Sequence, residues 1–214
     1  TREVGIPDTA MVCAMREQPL AGWNAVLEAE EDFADQGVVG LDFAGDEANH
    51  PAVDLAPAVR AGLATGLPFT LHAGEAGPVD NVAVSLTLGA QRIGHGVHMS
   101  GFPATINQAK RDGATIEMCP TSNVQTKAVA DYTAFPLAEF LSAGLKVTLN
   151  TDDRTVSDVT LTSEIMRMHD EFGLNWSLLE QLTLNAIDGA FLNDPAKEKL
   201  RERVRAAAST VNQS

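Results

Sequence analysis

Short apolar runs alternate with longer amphipathic stretches along the chain. The runs are Ala10–Met15, Val38–Phe43, Phe69–His72, Arg92–Val97, Ala114–Cys119 and Lys146–Asn150. They lack the polar alternation of a half-exposed strand and end in Gly, Asp, Glu, Pro or Asn. Buried parallel strands look like this because both faces are covered. Helical periodicity fills the intervals: Leu20–Gln36, Pro51–Thr65, Asn81–Leu88, Phe102–Asp112 and Pro136–Ala143, then Thr160–Phe172, Ser177–Phe191 and Pro195–Val211. In the first of these Trp23, Val26, Leu27 and Phe33 share a face. Pro57 is a weak point in the second, since proline removes a donor and crowds the preceding turn.

Gly37, Gly66, Gly89, Gly113 and Gly144 each fall between a helical pattern and the next strand. Glycine takes positive φ cheaply there. The recurrence of helix, glycine and strand makes the chain an α/β repeat of βαβ units. Six strands are two fewer than a closed (β/α)8 TIM-type barrel needs, and such a barrel typically takes about 250 residues. No linker or low-complexity tract interrupts the 214 residues, so one domain over 1–214 is expected.

Composition narrows the class without naming the chemistry. Fifteen Lys and Arg stand against 29 Asp and Glu, a formal charge of −14. Such a surface repels phosphate backbones, which argues against a nucleic-acid partner. No apolar run is long enough to span a bilayer, and no signal pattern opens the chain, so neither a membrane partner nor export is expected. Cys13 and Cys119 lie in apolar runs and read as buried free thiols, which suits a reducing, cytoplasmic setting.

The candidate chemistry sits at strand ends. Thr70-Leu71-His72-Ala73-Gly74-Glu75 delivers a histidine and then a carboxylate. A strand histidine can equally be a hydrogen-bonded core residue, but a carboxylate beside Gly74 and Gly77 has more use in proton transfer than in packing. His95 lies between Gly94 and Gly96, where the bland reading is a turn histidine. His98 follows three residues on, and on a strand the two would face opposite ways. Asp152 and Asp153 are adjacent; one can bind a metal while the other contacts substrate, or both can cap the next helix. Gly45-Asp46-Glu47 and Asn123 are further polar strand ends. Such groups converging on one rim suit a metal-dependent hydrolase on a barrel.

Taken in order, Gly40-Leu41-Asp42-Phe43-Ala44-Gly45-Asp46-Glu47, His72-Ala73-Gly74-Glu75, Gly94-His95-Gly96, Cys119-Pro120-Thr121-Ser122-Asn123 and Asn150-Thr151-Asp152-Asp153 closely resemble the adenosine deaminase family. The resemblance implies a zinc-dependent (β/α)8 barrel that hydrolyses the 6-amino group of adenosine, giving inosine and ammonia. It implies His72 and Asp152 as Zn2+ ligands and Glu75 as the acid that protonates purine N1. His95 would orient the attacking hydroxide and stabilise developing charge. Asp153 would meet N7, and the Gly45 amide N3.

The chain also departs from that pattern. The family's first strand carries a His-x-His pair that supplies two more ligands, and no two of the five histidines here are separated by one residue. The six strands match the family's last six. The expectation is therefore an incomplete barrel with open edges at Ala10–Met15 and Lys146–Asn150, active only with an N-terminal segment in cis or in trans, or self-associating. Arg154 stands where many relatives have proline and bears on substrate preference. Adenine, adenosine monophosphate or a modified nucleoside are alternative substrates, and a non-catalytic half-barrel for binding or assembly is the alternative of another class. The smaller zinc deaminases are set aside, because their His-x-Glu and Pro-Cys-x-x-Cys signatures are absent.

Overall fold

Among the described residues, six parallel strands form in the order the apolar runs predict: β1 (Ala10–Met15), β2 (Val38–Ala44), β3 (Phe69–Ala73), β4 (Arg92–His95), β5 (Thr115–Met118) and β6 (Lys146–Leu149). This computed structural model describes residues 9–211, so the two ends of the expected 1–214 domain lie outside it. The strands make one sheet in sequence order, each paired in parallel with the next. Among the described residues β1 pairs only with β2 and β6 only with β5, leaving the two expected edges open.

The helices are α1 (Leu20–Phe33), α2 (Ala56–Leu63), α3 (Val79–Thr87), α4 (Pro103–Asp112), α5 (Pro120–Gln125), α6 (Leu137–Ala143), α7 (Arg154–Ser157), α8 (Leu161–Phe172), α9 (Trp176–Gly189) and α10 (Asp194–Val211). The short α5 and α7 leave no periodic signal in the sequence, because one or two turns carry too few positions to show a period. Pro57 does not kink a long helix. A 3-10 turn, Ala52–Leu55, comes first, and α2 begins afresh with Pro57 in its first turn, where no N–H is needed. Among the described residues no helix is long and apolar enough to cross a membrane.

Two expectations about burial need correcting. The strands do alternate. Leu41, Phe43, Leu71, Ile93, Ile116 and Val147 are at most 1% exposed, in the core beneath the helices. Asp42, Thr70, His72, Arg92 and Glu117 point the other way, into a cavity of about 230 Å³ inside the open barrel. The polar side of the alternation is interior, which is why the runs read as covered on both faces. Cys13 also lines this cavity and is exposed, because it sits on the edge strand; Cys119 is buried, and both thiols are free. Phe33, at the end of α1, is 48% exposed, whereas Trp23 is buried.

All five helix-to-strand glycines have positive φ, from +69° at Gly113 to +100° at Gly37. The last helices close over β6: Asn185 of α9 donates to the Val147 carbonyl at 2.8 Å, and Lys197 and Arg201 of α10 bond Asp188 of α9.

Candidate active site

The C-terminal ends of β3, β4 and β6 bring His72, Glu75, His95 and Asp152 to one rim. His72 is the penultimate residue of β3. Its partner in register is Gly94, and a Cβ there would lie 3.1 Å from the imidazole. Glycine at 94 therefore gives the ring its room. His72 Nδ1 lies 3.0 Å from Asp42 Oδ1 on the neighbouring strand. Burial disfavours the imidazolium, but the hydrogen bond and charge of Asp42 outweigh it and raise the His72 pKa above its ordinary 6.5. With Nδ1 committed to the carboxylate, Nε2 is the nitrogen left to ligate.

His95 ends β4 and is 2% exposed. Its φ of +66° is left-handed, as is the +58° of Asp152. Non-glycine residues held there are strained and tend to mark functional positions. The Asn123 amide donates to His95 Nδ1 at 2.9 Å, leaving the ring proton on Nε2. That Nε2 lies 3.3 Å from Glu75 Oε2 and 4.0 Å from Asp152 Oδ2. Burial and the neighbouring His72 push the His95 pKa below 6.5, against the pull of Glu75 and Asp152. The ring is thus held neutral, with one N–H pointing into the cluster.

Glu75 Oε1 accepts from the Thr126 hydroxyl at 3.0 Å and faces the Asn123 amide at 3.5 Å. Asp152 Oδ2 accepts from Ser122 Oγ at 2.7 Å, and its Oδ1 from the Asp153 N–H at 2.8 Å. Burial works against its ionised form, yet those bonds and the two imidazoles hold its pKa below 3.8. His95, Cys119 and Asp152 offer ligand atoms within 4.8 Å of one another, a grouping that could hold a metal ion. Sequence reasoning did not bring Cys119 into the site.

Asp153 and Gly45 stand farther out. Asp153 Oδ1 caps α7, accepting from the Thr155 and Val156 amides at 2.9 Å each, so the helix-cap reading of this residue holds for one oxygen. Gly45, at φ +105° beyond β2, is exposed. Beside Asp152 a groove of about 430 Å³ runs along Leu149, Asn150, Thr151, Arg154 and Leu161. His98 is not brought to the cluster: its ring nitrogens face the Gly77 and Ala128 carbonyls at 2.7 and 3.1 Å.

The supporting residues were the harder part to foresee. Asp42 orients His72, and Ser122 and Asn123 hold Asp152 and His95. Glu117 takes a hydrogen bond from Thr70 and pairs with Arg92, Nε to Oε1 3.1 Å. Buried Arg16 donates to the His50 carbonyl at 2.9 Å and to the His72 carbonyl, tying β1 to the histidine's backbone. Asp42 and Glu117 could have been found from strand alternation, since each is an inward acid between outward apolar neighbours. Arg16 carries no local signal.

Known proteins match this arrangement. The chain is 39% identical over 202 residues to an adenosine deaminase from Enterococcus faecalis, covering 94% of this chain and 60% of the relative. It superposes with a TM-score of 0.89 on an amidohydrolase from Burkholderia ambifaria solved with bound zinc, 25% identical, covering 99% of this chain and 60% of the other. An N6-methyl-AMP deaminase from Arabidopsis thaliana gives a TM-score of 0.86 at 25% identity, covering 94% and 59%. The chain therefore spans about 60% of the length of these relatives. The adenosine deaminase family's sequence pattern matches residues 1–207, and with the ordered strand-end residues this establishes that the chain belongs to the adenosine deaminase family.

Proposed function

We propose that the protein to which this chain belongs is a zinc-dependent hydrolase that converts adenosine, and 2'-deoxyadenosine, to inosine and ammonia. The observation that carries the reading is the cluster of Glu75, His95 and Asp152 beside a histidine whose Nδ1 is already bonded to a carboxylate. That carboxylate–histidine arrangement is the usual support of a metal-ligating imidazole. His72 through Nε2 and Asp152 would hold Zn2+. A catalytic zinc normally has three protein ligands, one more than His72 and Asp152 supply. When bound, zinc would lower the pKa of water toward about 7 and so supply hydroxide at neutral pH.

The chain's own residues account for the remaining steps. Glu75 gives its proton to purine N1, which draws electrons from C6 and opens it to attack; it then takes the proton of the attacking water and passes it to the 6-amino group, which leaves as ammonia. His95, neutral and donating from Nε2, orients the nucleophile and stabilises the charge that develops on it. Asp153, with one oxygen engaged in capping α7, meets N7 through the other, which has to carry a carboxyl proton to donate because N7 is itself an acceptor. The Gly45 N–H is the donor for N3. The substrate is a neutral purine nucleoside, for which a charge of −14 is no obstacle. A nucleotide is less well served, because Arg92 is already paired with Glu117 inside the barrel. We place the protein in the cytoplasm, with no nucleic-acid or membrane partner.

The test is zinc content and turnover of the full-length protein on adenosine, 2'-deoxyadenosine, adenine and adenosine monophosphate. Zinc bound and adenosine preferred is the expected result. Preference for another amino-purine would replace the substrate, and zinc-loaded protein without turnover would favour the non-catalytic half-barrel.

A further inference from the structure

We propose that Glu47 is a positioning residue of this site, a buried carboxylate that holds the Glu75 loop in its working conformation. The inference rests on the reading of Glu75 as the proton donor. Glu47 lies beyond β2 and is 4% exposed. Its two oxygens accept four successive backbone N–H groups. Gly74 donates to Oε1 at 2.6 Å, and Glu75, Ala76 and Gly77 donate to Oε2 at 3.0, 2.9 and 2.9 Å. The Asn81 amide, in the first turn of α3, adds a fifth bond to Oε1 at 3.1 Å. Asn81 is itself pinned, its Oδ1 accepting from the Ala52 amide at 3.0 Å.

The loop gains its shape from this anion. Four consecutive N–H groups point at one centre; those of Gly74 and Gly77 would otherwise be buried without acceptors, at about 1–3 kcal/mol each, while those of Glu75 and Ala76 are part-buried. They converge because Gly74 is left-handed at φ +71°. The arrangement is an anion-binding nest whose anion is built into the protein. Gly77 has to be bare: a Cβ there would lie 2.8 Å from both the carboxyl carbon and Cγ of Glu47. Glu75 is inside the nest, its own amide being one of the four donors. Its side chain is thereby set on the opposite side of the loop, against Thr126 and His95.

A neutral isostere cannot replace the carboxylate. In Glu47→Gln the new NH2 would face either the Gly74 N–H and the Asn81 amide or the other three donors, and donors would oppose donors in both cases. Glu47 touches no reacting atom in this scheme, so its effect should reach kcat through Glu75 and leave the ground-state contacts at Gly45 and Asp153 alone.

The experiment uses the full-length zinc protein with two variants, Glu47→Gln and Gly77→Ala. The second keeps the carboxylate but displaces it. Both should retain zinc, lose about tenfold or more in kcat per zinc site, and keep KM within about twofold. Amide hydrogen exchange over residues 73–78 should speed up by a similar factor, while exchange in β2 and β3 stays slow. A lower melting temperature with kcat per zinc site unchanged would make Glu47 purely structural and overturn the proposal, as would unchanged exchange in the loop. If the wild-type protein deaminates no purine, the functional reading fails by itself, and exchange alone decides whether Glu47 holds the loop. Should neither variant fold, protection of these four amides in the wild-type protein decides, and fast exchange there refutes the nest.

Discussion

Replacing Asp42 by asparagine should weaken zinc binding without disturbing the fold. The carboxylate lies 3.0 Å from His72 Nδ1 and holds that imidazole with Nε2 free. Asparagine keeps the shape and can still accept through its carbonyl, so what is removed is the charge assistance. Loss of such a partner typically costs 10–100-fold in metal affinity, about 1.4–2.7 kcal/mol. The upper half of that range is expected here, because Asp42 is only 19% exposed and water cannot readily replace it. Asp42→Ala should cost more, since Nδ1 then has no acceptor and the ring is free to turn. The assay is competition for zinc with a chromophoric chelator at neutral pH, using full-length protein and both variants. Wild-type affinity in Asp42→Asn and Asp42→Ala alike would refute the assignment of His72 as a ligand supported by Asp42.

Other outcomes follow from the same geometry. Glu75→Gln should keep its zinc and lose about 10²–10⁴ in turnover, since ligation is intact and the proton carrier is gone; wild-type turnover would remove Glu75 from the reaction. Glu164 of α8, 1% exposed, accepts from the Thr121 amide at 3.0 Å and from the Thr121 hydroxyl. Glu164→Ala should cost about 1–3 kcal/mol in chemical denaturation, while Glu164→Gln, able to serve both groups, should recover most of that. Acid should destabilise the protein through Glu47. Burial raises its pKa, but the amides of Gly74, Gly77 and Glu75 and the Asn81 side chain outweigh this and hold it below 4.5. A depressed carboxylate stabilises the fold above its unfolded value, and that contribution is lost as pH falls through the folded value. Melting temperatures followed downward from neutral pH should therefore drop below about pH 4.5 more steeply for wild type than for Glu47→Gln.

Much of the fold was legible because the barrel repeats one physical rule. Each strand is a short covered run, each return is marked by a glycine at positive φ, and all six strands were found within about two residues at either end. What was missed follows from length or from misread alternation. The single-turn α7 has no period to detect. Strand residues such as Asp42 and Thr70 were absorbed into apolar runs, although their polarity signals an interior lined with functional groups. The clustering of His72, Glu75, His95 and Asp152 came from motif order rather than spacing, because the contacts join residues 20 to 57 positions apart. Contacts of that kind exist only after the sheet has formed.

The strained backbone of the site explains why its supports are so deeply placed. His95 and Asp152 both hold left-handed conformations, each costing on the order of 1–3 kcal/mol. Neither strand end would keep that geometry on its own. Asn123 and Ser122, successive residues of α5, fix one side chain each, at 2.9 and 2.7 Å. A helix of six residues is too short to be stable by itself, so its position has to be imposed. Glu164 does this from α8 by satisfying the amide at its start, and Tyr132 reaches the same Thr121 hydroxyl at 3.1 Å. On the opposite wall Glu47 performs the equivalent service for Glu75. The acids of this site therefore divide into those that face the cluster and those that hold the loops carrying it. The second group is more deeply buried: Glu47 and Glu164 are 4% and 1% exposed, while the side chains of Glu75 and Asp152 are 21% and 32% exposed. That ordering is the one a reactive rim needs, because a supporting carboxylate gains from exclusion of water and a reacting one must still meet its substrate.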